Sequence, residues 1–376
     1  MTTIDAIDVF PLPYIETNDH GSVRYSVLVR VRDSDGIDGW GEAATILDDA
    51  AQATAVIASG YASALLGTPA TVASAHEVMS AHGWWHGGAG IASFAAAALD
   101  MALWDCEARR AGLPLSVYLG APASKRLTTI LTCHASQADL GLMTDTMAGW
   151  VRDHHTTDIK LAFGKAGDSR LGVDLSRDTE FARLLHSKLD AGARIMVDVS
   201  PRVKWTVQDA LDRIHALRPH GLAWLEEPLG ARNPEGYRTL HNNSEGVLIA
   251  YGEREWNVAG IADIIATGTV DVVGMDPGRI GVSGFLAGAQ LCAAAGVHAN
   301  AHAFAGPLIF ASSLAASLAT EAATEFEIAP LRNELWEIAG APDLAPQTST
   351  IGALGEPGLG FTVDEERVRA ASAAWR

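Results

Sequence analysis

Seven ionisable residues in the latter part of this chain stand at near-regular intervals, each closing a short, mostly apolar run. They are Lys160, Asp198, Glu226, Glu253, Asp276, His302 and Glu327. After a first step of 38 residues, the steps are 28, 27, 23, 26 and 25. A strand, a loop and a returning helix take up that much chain. With TTILTCHA ahead of them, the runs DIKLAF, RIMVDV, LAWLEE, VLIAYGE, DVVGMD, VHANAH and EFEIA make eight. Helical patterns lie between them. After Ser176, for example, Phe181, Leu184, Leu185 and Leu189 mark one buried face, and Gly192 ends it. Eight such units predict a parallel (β/α)8 barrel. In a barrel the C-terminal strand ends share one pocket, so the seven residues are expected to converge there.

The first 45 residues follow a different rhythm. Ser26 to Arg32 largely alternates and ends in the turn cluster Asp33-Ser34-Asp35-Gly36. Ile37 to Glu42 then returns as the second hairpin strand. Phe94, Ala97, Ala98 and Met101 repeat at helical spacing, and Gly112 with Pro114 stops that helix. From Ile280 to Thr320 there is no Asp, Glu, Lys or Arg, which could suggest a membrane span. The stretch also holds Gln290, His298, Asn300, His302 and Pro307, and it is expected to be barrel core instead.

Charge narrows the partners. Lys plus Arg number 27 and Asp plus Glu 45, a net charge of −18. Such a surface repels nucleic acid and anionic membrane, so neither is an expected partner. An anionic substrate needs a local cation to hold it. Cys106, Cys133 and Cys292 fit neither a zinc motif nor a disulfide framework, and the N-terminal stretch lacks a basic region of the signal-peptide type. A reducing, cytoplasmic location is the expectation.

Asp198, Glu226 and Glu253 come from three consecutive strands. Three carboxylates at one pocket are all-oxygen ligands for a hard cation with open positions. Without a cation, charges 4 Å apart repel by up to ~4 kcal/mol per pair at an effective dielectric of 20. Taken singly, each of these acids reads as a helix cap or a surface charge, and Lys160 as a solvated lysine. Their shared register argues otherwise. Glu227 adjoins Glu226 and should point to the opposite face, as part of a structural ion pair. His302 has Asp276 one unit before it, and a carboxylate that orients an imidazole suits a general base. His298 has no such partner and reads as a core histidine. Cys133, His134 and Ser136 follow the first barrel strand and are weaker candidates for the pocket lining.

These motifs together resemble the enolase superfamily and, within it, the mandelate racemase subgroup. The strongest markers are VDVS at Asp198, WLEEP at Glu226, YGE at Glu253, DPGRIGVSG at Asp276 and NAHAF at His302. DGIDGWGEA resembles the hairpin of that family's capping domain. Ala97 to Ala121 resembles its helix leading into the barrel, and Pro357 to Glu366 its C-terminal return. The resemblance implies a modified TIM-like barrel over about residues 126–340. An α+β capping domain would span residues 1–125, completed by residues 341–376.

By the same resemblance, Asp198, Glu226 and Glu253 hold Mg2+, and the Asp276–His302 pair is the general base. Lys160 would neutralise an enolate, and Glu327 would hydrogen-bond the substrate carboxylate, which requires a protonated Glu327 if it donates. A His or Lys base beside Mg2+ is the general pattern of this superfamily. Asp276 sets the chain apart from the muconate-cycloisomerase-like subgroup, which has a lysine base there. One departure stands out. The family often shows Lys-x-Lys on the second strand, but here the motif is Lys160-Leu161-Ala162. Lys165 is expected in the following loop and is not assigned the missing role.

With one base left, a symmetric two-base racemase is disfavoured. The expected activity is Mg2+-dependent dehydration of an acid sugar to a 2-keto-3-deoxy acid. A lactone cycloisomerase or one-base epimerase is the alternative, and a non-catalytic sugar-acid-binding protein the alternative from another class. Substrate contacts are expected from His20 in the Pro11–Gly21 loop, from Trp85 and His86 in HGWWHGGAG, and from Cys133. The Trp84–His86 stretch serves equally well as ordinary packing between domains. Relatives often form dimers or octamers, so a homo-oligomer is expected.

Overall fold

The computed structural model of the protein describes residues 2–165, 167–230, 232–344 and 348–375. The chain opens with three antiparallel strands, β1 (Ile4–Glu16), β2 (Ser22–Asp33) and β3 (Asp38–Ile46). Helices Asp48–Leu65, Val72–His82 and Ile91–Arg110 follow. The last of these lies directly on the backbone of β3. A Cβ on Gly39 would come within 2.0 Å of the Ala102 carbonyl oxygen, and one on Gly41 within 1.9 Å of that of Ala98. Only glycine permits that approach. This hairpin-and-helix unit forms a cap.

Eight parallel strands follow: β4 (Arg126–His134), β5 (Asp158–Phe163), β6 (Ile195–Val199), β7 (Leu222–Glu226), β8 (Leu248–Tyr251), β9 (Val272–Met275), β10 (His298–Ala301) and β11 (Glu325–Ile328). They pair in the order β10-β9-β8-β7-β6-β5-β4-β11. The eight strands match the eight apolar runs, but the eighth repeat is incomplete. Between β10 and β11 the described residues show no strand ladder, although the Ala299 amide donates to the Ala322 carbonyl. After β11 there is only the short helix Glu334–Ile338. The chain then adds β12 (Thr350–Gly352) antiparallel to β4.

Inside the barrel, Ile130, Met196, Trp224, Ala250 and Val272 form a buried apolar plug. Each large side chain in it contributes roughly 1.5–3 kcal/mol by leaving water. Polar residues sit above this plug because strand alternation returns each chain to the interior two residues later.

The Ile280–Thr320 stretch becomes the helix Pro277–Ala295, β10 and the helix Pro307–Leu318, which is buried throughout. Among the described residues no helix is long and apolar enough to cross a membrane. Two carboxylates from the cap terminate these barrel helices. Glu42 accepts from the Gly306 amide at 2.8 Å and the Ile309 amide at 3.2 Å. Asp100 accepts from the Ser283 amide at 3.0 Å, where Gly281, at φ 75°, breaks the first helix and restarts it. A Cβ on Gly281 would meet the Asp100 carboxylate at 2.6 Å. Both acids satisfy amides that a helix leaves unpaired at its start.

The C-terminal helix Glu365–Trp375 packs on β1. Ser372 donates to the Pro11 carbonyl at 2.9 Å, and Glu365 pairs with Arg30 at 2.6 Å.

Candidate active site

The strand ends open into a cavity of about 140 Å3 beneath the cap. Its position follows from register. His134, Ala162, Asp198 and Glu226 are paired in sequence across β4, β5, β6 and β7. Neighbours in register on parallel strands face the same way, so all four point into the barrel. Of the seven residues expected to converge, Lys160, Asp198, Glu253, Asp276, His302 and Glu327 line the cavity directly. Glu226 lies just below, buried against Lys160.

Lys160 is the hub of the lower layer. Its Nζ lies 2.8 Å from Glu226 Oε2 and 2.6 Å from Glu327 Oε1. Burial works against its charge, but Glu226, Glu327 and Asp198 outweigh burial and hold its pKa well above the usual lysine value. Glu327 also accepts from Asn300 at 2.5 Å and from Thr132 at 2.8 Å. Both of its oxygens are thus acceptors. Three donors, Lys160, Asn300 and Thr132, surround Glu327, which accepts in this arrangement rather than donates.

His302 and Asp276 do meet. Nδ1 of His302 lies 3.3 Å from Asp276 Oδ2, while Oδ1 of Asp276 accepts from the Gly278 amide at 2.8 Å. Asp276 is therefore fixed by capping its own helix. The other ring nitrogen, Nε2, lies 3.7 Å from Glu253 Oε2. Burial disfavours the imidazolium, but Glu253 and Asp276 prevail and raise the pKa of His302 to about 9.

The acids repel one another. Burial, and then the neighbouring charges of Asp198, Glu327 and Glu253, push Glu226 up to about 8 despite Lys160. Asp198 is raised by burial and by Glu253. Among the described residues no group of three His, Cys, Asp or Glu side chains is gathered tightly enough to hold an ion as it stands, and Glu226 is turned onto Lys160. The donor set nonetheless fits a hard cation. It is all oxygen, it lies on consecutive strands, and its mutual repulsion is what a divalent charge would relieve. Glu227, as expected, turns away to pair with Arg254 at 2.6 Å.

The expected substrate contacts fare differently. Cys133 is buried outside the barrel wall, in register with Leu161, and burial raises its thiol to about 12. Strand alternation instead turns Thr132 and His134 inward, and both line the cavity. Trp85 is 82% exposed, Trp84 is 75% exposed, and the two rings pack on each other. His86 is exposed and bonds the Gly87 carbonyl. Neither Trp85 nor His86 reaches the cavity, because the 83–90 turn projects into solvent. His20 ends the turn Thr17–Asp19 at φ 58° and is not in the lining, whereas its neighbour Asp19 reaches His134.

Several cavity residues lie outside the sequence expectation. Arg24 and Arg279 enter from outside the barrel strands, and Lys165 enters from the loop after β5. With Lys160 they supply the local cations that an anionic substrate needs. Thr132 stands two residues before His134, and Asn300, which holds Glu327 from beneath the lining, two before His302, so alternation could have found them. Arg24 gives no such signal, since its place depends on how the cap sits.

The chain matches two family descriptions: "Mandelate racemase / muconate lactonizing enzyme, N-terminal domain" over residues 15–120, and "Enolase C-terminal domain-like" over residues 142–367. A D-gluconate dehydratase from Thermoproteus tenax is 28% identical, over 97% of this chain and 73% of its own length. A 3,6-anhydro-alpha-L-galactonate cycloisomerase from Streptomyces coelicolor is 29% identical, over 72% of this chain and 73% of its own. An enolase from Bradyrhizobium, crystallised with magnesium and mandelic acid, superposes with a TM-score of 0.85 at 23% identity, covering 98% of each chain.

Proposed function

The chain belongs to the enolase superfamily, in its mandelate racemase branch, and from that premise we propose that it dehydrates an acid sugar. The reaction removes the proton α to the substrate carboxylate and expels the β-hydroxyl, giving a 2-keto-3-deoxy acid. The observation that carries this reading is the His302–Asp276 pair, held at 3.3 Å in the same cavity as Lys160 and Glu253. The first two relatives also support it, since one is named a dehydratase and both act on sugar acids by name.

His302 takes the α-proton. Asp276 fixes its Nδ1 and favours the imidazolium that forms. Lys160 places a permanent positive charge where the enolate develops. Preorganised charge of this kind acts without reorganisation at the moment of reaction. Glu327 holds Lys160 in place and accepts from a substrate hydroxyl. Asp198, Glu226 and Glu253 would hold Mg2+. When bound there, Mg2+ supplies Lewis-acid stabilisation and a template for the substrate carboxylate. Arg24, Lys165 and Arg279 draw the substrate anion to the cavity. We place the protein in the cytoplasm, among enzymes of carbohydrate catabolism.

Cycloisomerisation of a sugar acid is the second reading, favoured by the Streptomyces coelicolor relative. Proton NMR in D2O with Mg2+, across mono- and diacid sugars and their lactones, separates the two. Loss of substrate with growth of a keto-deoxy product establishes the dehydratase. An isomerised product carrying deuterium at the α-carbon establishes the second reading. A chain that binds sugar acids but neither exchanges nor converts them is a binding protein.

A further inference from the structure

The register row that carries Asp198 and Glu226 holds a second imidazole. His134 closes β4 and is the register partner of Ala162 on β5, which in turn partners Asp198. Ala162 has no side chain beyond Cβ. The position that could carry a second proton-transfer group is therefore empty of one, and the adjoining strand puts an imidazole beside it. The His134 ring stacks on Phe304, 5.4 Å between centroids and 21° between planes. Both rings line the cavity together with His302, Lys160 and Glu327.

His134 also has a carboxylate beside it. Its buried Nδ1 lies 3.5 Å from Asp19 Oδ1, too long for a good hydrogen bond, and has no other partner among the described residues. Asp19 is held by Arg24 at 2.9 Å and by Ser22 at 3.1 Å. His134 and Arg24 keep the Asp19 carboxyl well below the usual range, so a charged acid faces the ring. Two imidazoles thus line the cavity, each with an aspartate beside it, and Asp19 lies behind the lining. In one pair, both members belong to the barrel. In the other, the barrel gives the imidazole and the cap gives the carboxylate.

We propose that His134 is the acid that protonates the departing β-hydroxyl, with His302 the base. This rests on the dehydratase reading above. As His302 takes the α-proton, the C–O bond at the β-carbon breaks and its electron pair leaves with oxygen. His134 delivers a proton to that oxygen, and water departs. The enol left behind loses its hydroxyl proton to His134, and its β-carbon takes the proton held by His302. Both imidazoles are restored, and the net change is loss of one water. Asp19 is a positioning residue for this step.

The test uses full-length protein with Mg2+ and D-gluconate, D-galactonate and their 3-deoxy-3-fluoro analogues. The proposal expects His134→Asn and His134→Gln to slow dehydration at least about 100-fold. Exchange of the α-proton with D2O should persist. Fluoride needs far less help from an acid, so release from the fluoro analogues should stay within about tenfold of wild type. His302→Asn should lose exchange, dehydration and fluoride release alike. Fluoride release that falls as far as dehydration marks His134 as structural and overturns the assignment, as does unchanged dehydration. Asp19→Asn should lower kcat while KM stays within about threefold, and thermal melting of each variant separates unfolding from a chemical loss. If the wild type isomerises instead, the dehydratase reading fails, and loss of product with retained exchange in His134→Asn still decides the residue's role. A wild-type enzyme inert towards all sugar acids tested overturns both.

Discussion

The floor of the cavity and its roof are made in different ways. Floor residues stand on the barrel strands or just past their ends, and each is tied to a neighbour: Lys160 to Glu226 and Glu327, Asp276 to its own helix, Glu327 to Thr132 and Asn300. Roof residues stand on a turn and a hairpin. Asp19 and Arg24 pair with each other, and the roof meets the barrel through the longer His134 contact, through Asn18 on Leu331 and through Glu42 on the Gly306 and Ile309 amides. The difference teaches that the chemistry rests on side chains tied within the barrel, while the roof takes its position from contacts between cap and barrel.

Four measurements break or sharpen that contrast. The largest effect belongs to the floor. His302→Asn should lower kcat by about 10²- to 10⁴-fold while Mg2+-dependent ligand binding persists, as read by NMR turnover and calorimetry. Unchanged turnover would remove His302 from the chemistry.

Next comes the cation. Glu253→Gln should weaken Mg2+ binding beyond the roughly 10- to 100-fold typical of losing a supporting residue. Chelation should abolish turnover reversibly. Undiminished affinity in calorimetry would show that the ion, if any, is held elsewhere.

A smaller effect is expected where roof meets floor. Glu42→Ala strands the Gly306 and Ile309 amides and should cost about 1–3 kcal/mol in unfolding free energy. Burial raises the Glu42 pKa to about 7 from a usual 4.5, against the pull of those amides. The folded chain then binds more protons than the unfolded one between those values. The stability contribution of Glu42 is present below pH 4.5 and falls as pH rises through 7. Glu42→Gln should flatten that slope in melting curves, and an unaltered slope would contradict a buried, titrating Glu42.

The smallest effect is expected at the solvent-facing turn. Trp85→Ala should change stability by less than about 0.5 kcal/mol and leave kcat/KM unchanged. A many-fold rise in KM would mean that the 83–90 turn closes over the cavity during turnover.

The same contrast governs how much of the molecule is legible in its sequence. Floor residues recur once per strand and helix, so their convergence follows from counting, and Asp276 with His302 is visible one unit apart. Cys133 is off by a single residue, because the alternation of β4 favours Thr132 and His134. Trp85 and His86 look like roof residues by composition, yet a turn's direction depends on packing that its own residues do not encode. Arg24 and Asp19 escape notice for the converse reason: their site forms only when a hairpin over 100 residues upstream lies on the barrel. The incomplete eighth repeat is equally hidden, since the run EFEIA does not reveal that no full helix follows it.

The closing of β1 by the helix Glu365–Trp375 has a consequence for biosynthesis. The cap strands leave the ribosome before the barrel, yet one flank of β1 stays bare until Glu365–Trp375 has been made. Arg30 waits as long for Glu365. Contacts this far apart in sequence carry a high loop-closure cost and form late. The nascent chain therefore displays one uncovered flank of β1 until its last helix is made, and a ribosome stalled in the barrel would leave a cap that chaperones can still bind.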